Sequence, residues 1–337
     1  MLSDAQRALI AAHLRRGRAA DPQEGTAAAA ARNAATPLVE LTGGGGGDGS
    51  AEHVAQRLFL VHAIGGTVHP YARLATQLAA DFAVYGLQAS GLAPGSAPAA
   101  SLDAMTDAYL AAIRSAQPEG GPYRLSGWSM GGLVAYELAR RLEQDGEKVD
   151  ALILLDAPFA MPDDPAQAAS AFDGGSAEGR IAGWFVADAA RTLGRNGELA
   201  DAPDPATSSA AEQLDWLAGR LDTDDAGTPG SSGAPGSPGS AGGLAAAVRA
   251  EIGRRFAVFQ AHTRLIAGYR PQAALHTRTL IVSARHSPNA AVAQQWLALL
   301  GPAAASVHTV DADHYAFLGP PLVGQVAAAI RGRQEAR

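Results

Sequence analysis

An α/β fold, with a mostly parallel sheet, helices on both of its faces and a helical lid inserted late in the chain, is predicted by three observations. Strand-length apolar runs alternate with helical stretches, which is the pattern of a parallel sheet buried on both faces. The pentapeptide Gly127-Trp128-Ser129-Met130-Gly131 lies between one such strand and one such helix. Finally, Asp156 and Arg278 are 122 positions apart. That is far more than a βαβ connection requires, so a subdomain is expected between them.

The elements follow in order. Residues 3–18 predict a helix, because Ser3 and Gln6 match a capping box and Leu9, Ile10 and Leu14 make a short apolar stripe. Residues 19–36 are rich in alanine and poor in large apolar side chains, and 43–47 are an unbroken glycine run. Residues 1–36 therefore read as a terminal helix and flexible linker, and 37–337 as the body. Strands are predicted over 37–42, 57–62, 82–87, 123–126 and 149–155, with helices over 102–116 and 132–141. Two late strands, 277–283 and 306–310, precede a closing helix over 321–331. The lid occupies about 159–270, built from helical patches at 176–193, 210–221 and 244–269. Within it, 226–243 (AGTPGSSGAPGSPGSAGG) has almost nothing to bury and predicts disorder.

Composition excludes several functions. Of 337 residues, 47% are hydrophobic and 18% charged, enough for a sizeable core. A net charge of −7, without a basic stripe interleaved with aromatics, argues against a nucleic-acid partner. With no cysteine there is no disulfide, no thiolate metal site and no cysteine nucleophile. No run reaches membrane-spanning length and the first twenty residues lack a long apolar core. No membrane association, and a cytoplasmic location, are therefore expected.

The pentapeptide predicts that Ser129 is a nucleophile. In a chain with 39 glycines the bare pattern is a weak signal; the strand before it and the helix after it give it weight. A serine at a sharp strand-to-helix bend needs clearance two residues to either side, which Gly127 and Gly131 provide. Order and elbow together suggest an α/β-hydrolase sheet. The base is sought among nine histidines. His314 follows the last strand, on a loop at the carboxyl edge of the sheet, and is preferred; His286, also above a strand, is the runner-up. For the acid, many hydrolases use the loop after the penultimate strand, but 284–289 here contains no carboxylate. Asp156 instead ends the strand after the elbow helix, and Asp313 is a weaker candidate. The amides of Met130 and Ile64 are the expected oxyanion donors, the latter from the loop His62-Ala63-Ile64-Gly65-Gly66.

With these residues in place, the chain resembles the thioesterase family that serves nonribosomal peptide and polyketide synthases. The likeness runs from about 37 to 331 through PLVEL, LFLVHAIGGTVHPYARLA, GWSMGG, LVAYELARRLE, ALILLDAP and DHYAFL. It implies a Ser129–His314–Asp156 triad with Ile64 in the oxyanion loop. It also implies an enzyme that releases an acyl chain, polyketide or peptide, from the phosphopantetheine arm of an acyl or peptidyl carrier protein, by hydrolysis or macrocyclisation. No cofactor or metal of the chain's own is expected. The long insertion resembles chain-terminating members more than compact editing ones, and the N-terminal segment looks like a remnant or docking element. The alternatives are a free-standing esterase or lipase, an editing (type II) thioesterase, and a non-catalytic module that binds carriers or shuttles acyl groups.

Overall fold

The computed structural model describes residues 36–42, 56–161, 176–222 and 239–335. The predicted N-terminal helix, most of the linker, the glycine run and residues 226–238 of the stretch expected to be disordered lie outside them.

The strands are β1 (Leu38–Glu40), β2 (Gln56–Val61), β3 (Phe82–Leu87), β4 (Tyr123–Trp128), β5 (Val149–Leu155), β6 (Thr279–Ala284) and β7 (Ala305–Val310). They form one sheet in the order β1-β3-β2-β4-β5-β6-β7. Only β1 runs antiparallel, against β3; the other pairings are parallel. Interior strands β4 and β6 are buried at every position, including Arg124, which pairs with Asp150 at 2.6 Å. Edge strand β7 keeps its middle positions exposed.

The helices are α1 (Ala72–Leu78), α2 (Leu102–Ala116), α3 (Met130–Gln144), α4 (Ala177–Thr192), α5 (Ala210–Asp222), α6 (Gly239–Leu265), α7 (Ala293–Leu300) and α8 (Val323–Glu335). Leu74 and Leu78 of α1 and Val326 and Ile330 of α8 share one core with one sheet face. Residues from α2, α3 and α7, including Tyr109, Leu133 and Trp296, share the other with the inserted helices. Three helices begin at serine caps: Ser101 accepts from the Ala104 amide and Ser176 from that of Gly179, both at 3.0 Å, and Ser209 from that of Glu212 at 3.2 Å. The sequence reading missed α1 and α7, which at 7 and 8 residues are too short to display a helical repeat clearly.

Between β5 and β6 the chain makes α4, α5 and α6; an aromatic cluster joins α4 to α6, Phe185 meeting Phe256 and Phe259, each at 5.5 Å. Helix α6 corrects the expected disorder over 226–243, because it starts at Gly239, inside that stretch. Once a helix is nucleated, each added residue gains a hydrogen bond without a new nucleus, so α6 runs back into small residues that could not start one. The helix ends four residues before the predicted 269. There the chain turns and Tyr269 donates to Glu137 Oε2 of α3 at 2.9 Å, tying the insertion back to the core.

Candidate active site

The elbow has the geometry its sequence demands. Ser129 adopts φ 57° and ψ −130°, a left-handed conformation rare for a residue with a side chain. It is held there by continuation of the strand ladder, since its amide donates to Leu155 O at 2.9 Å. A Cβ on Gly127 would overlap Gly131 O across the bend, as expected. One on Gly131 would strike Val61 O and His62 O, so this glycine's clearance lets the elbow approach the end of β2. Tyr71 bolts the same two strand ends together: its hydroxyl donates to Val61 O at 2.5 Å and accepts from the Trp128 amide at 2.8 Å.

Asp156 sits on the neighbouring strand end, where the sequence places it. It too is left-handed, with φ 46°. Its amide donates to Val282 O at 2.7 Å and its Oδ1 accepts from the Ala284 amide at 3.0 Å. Asn289 Nδ2 donates to its carbonyl at 2.8 Å. The loop over 284–289 therefore holds the carboxylate, although it does not supply it. The other carboxylate oxygen, Oδ2, lies 2.6 Å from His314 Nδ1, with the Asp156 side chain fully buried and that of His314 14% exposed. The imidazole stacks on Trp128 at 4.9 Å, which places it beside the serine's own neighbour. Acid and base are thus brought together. Among the described residues no hydrogen bond joins His314 to the Ser129 hydroxyl; such contacts often tighten only when substrate is bound.

The competing candidates have other work. His286 Nε2 pairs with Asp311 at 2.9 Å, and both side chains are well exposed. Asp313 Oδ1 accepts from the amides of Tyr315 and Ala316, each at 2.8 Å, and so braces the loop that carries His314.

On the opposite side of the elbow, Met130 contributes the first amide of α3, which has no helical acceptor of its own. Ile64 is buried, and its amide donates to no other group among the described residues. The preceding carbonyl, Ala63 O, accepts from the Gly66 amide at 2.9 Å and from His62 Nδ1 at 2.7 Å. His62 Nε2 in turn meets the Tyr109 hydroxyl at 2.6 Å. A carbonyl can only accept, so Nδ1 carries the proton and Nε2 accepts from tyrosine. Burial keeps this imidazole neutral by lowering its pKa to about 3, helped by the neighbouring His262.

The sequence reading gave no part in the site to Tyr71, Asn289, His262 or Asp188. Asp188, on α4, accepts from the Tyr315 hydroxyl at 3.1 Å beside His314. Burial raises its pKa to about 6, against the opposing effects of Tyr315, His314 and Arg191. Tyr71 stands in the quoted LFLVHAIGGTVHPYARLA segment, the one signal that could have pointed to it.

Residues 56–172 match the thioesterase domain family. A dimodular nonribosomal peptide synthase of Bacillus subtilis is 44% identical over 100 residues, 30% of this chain and 4% of that protein. The conidial pigment polyketide synthase of Aspergillus fumigatus is 39% identical over 112 residues, 33% of this chain and 5% of that protein. The chain thus matches only a small fraction of the length of these relatives. Among solved structures, a four-domain nonribosomal peptide synthetase bound to AMP and glycine aligns with a TM-score of 0.64 at 20% identity, covering 88% of this chain and 20% of that one. The wild-type Vlm2 thioesterase domain aligns at 0.58 and 21%, covering 88% and 96%. At such identities the structures speak for the fold.

Proposed function

Residues 56–172 match the thioesterase domain family, and on that premise we propose that the chain releases an acyl chain, polyketide or peptide, from the phosphopantetheine thioester of a carrier protein. The observation that carries this reading is the Asp156–His314 pair, 2.6 Å apart, beside a serine held in a left-handed elbow.

In this reading His314 takes the proton of Ser129 as its oxygen attacks the thioester carbonyl. Asp156 fixes the Nδ1–H tautomer and steadies the imidazolium. The oxyanion accepts from the amides of Met130 and Ile64. As the tetrahedral intermediate collapses, His314 returns the proton to the pantetheine sulfur, the carbon–sulfur bond breaks and an acyl-Ser129 ester remains. Water then yields the free acid, whereas a hydroxyl or amine of the same chain yields a ring; His314 deprotonates either one and returns the proton to the Ser129 oxygen as its ester bond breaks. The carrier protein supplies the arm, and the chain's own part needs neither metal nor cofactor.

The test is incubation with an acyl-pantetheine thioester followed by mass spectrometry. An acyl adduct on the peptide containing Ser129, absent from Ser129→Ala, is expected. Absence of both adduct and turnover in the wild-type chain would overturn the reading.

A further inference from the structure

In a trans peptide the carbonyl of one residue and the amide N–H of the next point in opposite directions, so gripping the carbonyl aims the amide. Both peptides flanking Ile64 are gripped this way. The carbonyl of the first, Ala63 O, is held by His62 Nδ1 and the Gly66 amide, which turns the Ile64 N–H away from both. The carbonyl of the second, Ile64 O, accepts from His262 Nδ1 at 2.7 Å.

His262 is 198 residues away in sequence and belongs to α6, in the insertion. It is 1% exposed, and its ring stacks on that of His62 with centroids 4.8 Å apart and planes at 15°. Helix α6 also lies directly against the loop: a Cβ on Gly66 would meet Val258 Cγ1 at 2.8 Å and His262 Cε1 at 3.4 Å. Both imidazoles act as neutral Nδ1–H donors. Burial supports this for His262 too, lowering its pKa to about 4.

We infer that His262 is a positioning residue, through which the inserted helix α6 aims the oxyanion loop at Ser129. It touches no reacting atom. It pins the second peptide of Ile64 and backs the ring that pins the first. The inserted helices are then a structural part of the oxyanion side as well as a cover over the site. This rests on the reading proposed above, in which Ile64 donates to the oxyanion.

Substitutions that keep or lose a donor at the Nδ1 position provide the test. His262→Asn puts its amide nitrogen where Nδ1 stands; His262→Gln puts it one atom further out, and His262→Leu removes it. The full chain is assayed on an acyl-pantetheine thioester, alongside amide hydrogen exchange of the peptide spanning 62–66. For the Leu and Gln variants the expected result is a kcat lower by about 10- to 100-fold with KM within about threefold, below the full loss of an oxyanion donor. Exchange at 62–66 should accelerate at least about tenfold while α3 is unchanged. The Asn variant should recover most of kcat. Should Leu fail to fold, Gln against Asn carries the same contrast. Equal kcat in all four proteins, or equal loss in Asn and Gln, would overturn the inference. A wild-type chain inert toward the thioester would sink the functional reading alone, because the exchange contrast still decides whether His262 holds the loop.

Discussion

The two sides of Ser129 are built from different parts of the molecule. The acid–base side belongs to the sheet: Asp156 leaves β5, is gripped by the end of β6 through Ala284 and Asn289, and holds a histidine from the loop after β7. On the oxyanion side, the loop after β2 is held by Tyr71 and His62 from the core but also by His262 from the insertion. The Asp156–His314 pair is thereby held by the sheet, with the insertion reaching it only through Asp188 and Tyr315, whereas the loop carrying Ile64 is bonded directly by α6. A disturbance of the inserted helices is expected to lower kcat through the oxyanion while leaving the acid–base pair intact.

The most severe way to break this contrast is to remove what the two sides share. Ser129→Ala is expected to lower thioester turnover by about 10⁴-fold or more in single-turnover assays. Asp156→Asn acts on the sheet side alone: kcat is expected to fall by roughly 10³- to 10⁴-fold, with hydrogen exchange at 62–66 unchanged. Were that exchange to change, the two sides would not be separate. Tyr71→Phe removes the bolt between the ends of β2 and β4 and strands the buried Trp128 amide. About 1–3 kcal/mol of stability should be lost in denaturant titration, together with a smaller fall in kcat.

Titration sharpens the comparison further, because the buried histidines of the oxyanion side and Asp188 of α4, beside His314, respond to pH with opposite sign. His62 and His262 have folded pKa values lowered to about 3 and 4 from 6.5. Below pH 6.5 the unfolded chain takes up protons that the folded chain refuses, so their contribution to stability falls as pH drops from 6.5 toward 4. In urea titrations His262→Asn should show a shallower loss of stability over that window. Asp188 behaves conversely. Its pKa is raised from 3.8 to about 6, so the folded chain holds a proton the unfolded chain has released, and stability falls as pH rises from about 4 through 6. Asp188→Asn should therefore melt higher than wild type at pH 8, by a few degrees, with the advantage gone at pH 4.

Much of the sheet side could be read from the sequence because its signals are local. Ser129 is framed by its glycines, Asp156 directly follows an apolar strand and His314 lies on the loop after the last strand, so the parallel topology sends them to one edge. The partners that hold them in place could not be read. Asn289 meets Asp156 across 133 positions and His262 meets Ile64 across 198. No periodicity marks an asparagine in a polar loop, or a histidine on a helix, as the donor to a particular distant carbonyl. Conformation hid as well: Asp156 at φ 46° looks in sequence like any aspartate at the end of a strand. The sequence did show that 284–289 lacks an acid, and the structure explains what that loop does instead.

Ser129 and Asp156 each occupy the final rung of a ladder, their amides bonded to Leu155 O and Val282 O respectively. Both left-handed residues are thus clamped from the same direction, through β4, β5 and β6 in succession. The insertion leaves the chain after Asp156 and returns before β6, so lineages could lengthen, shorten or exchange it without shifting any of those rungs. An incoming segment would have to present anew a donor to Ile64 O and an acceptor to the Tyr315 hydroxyl, which His262 and Asp188 provide here.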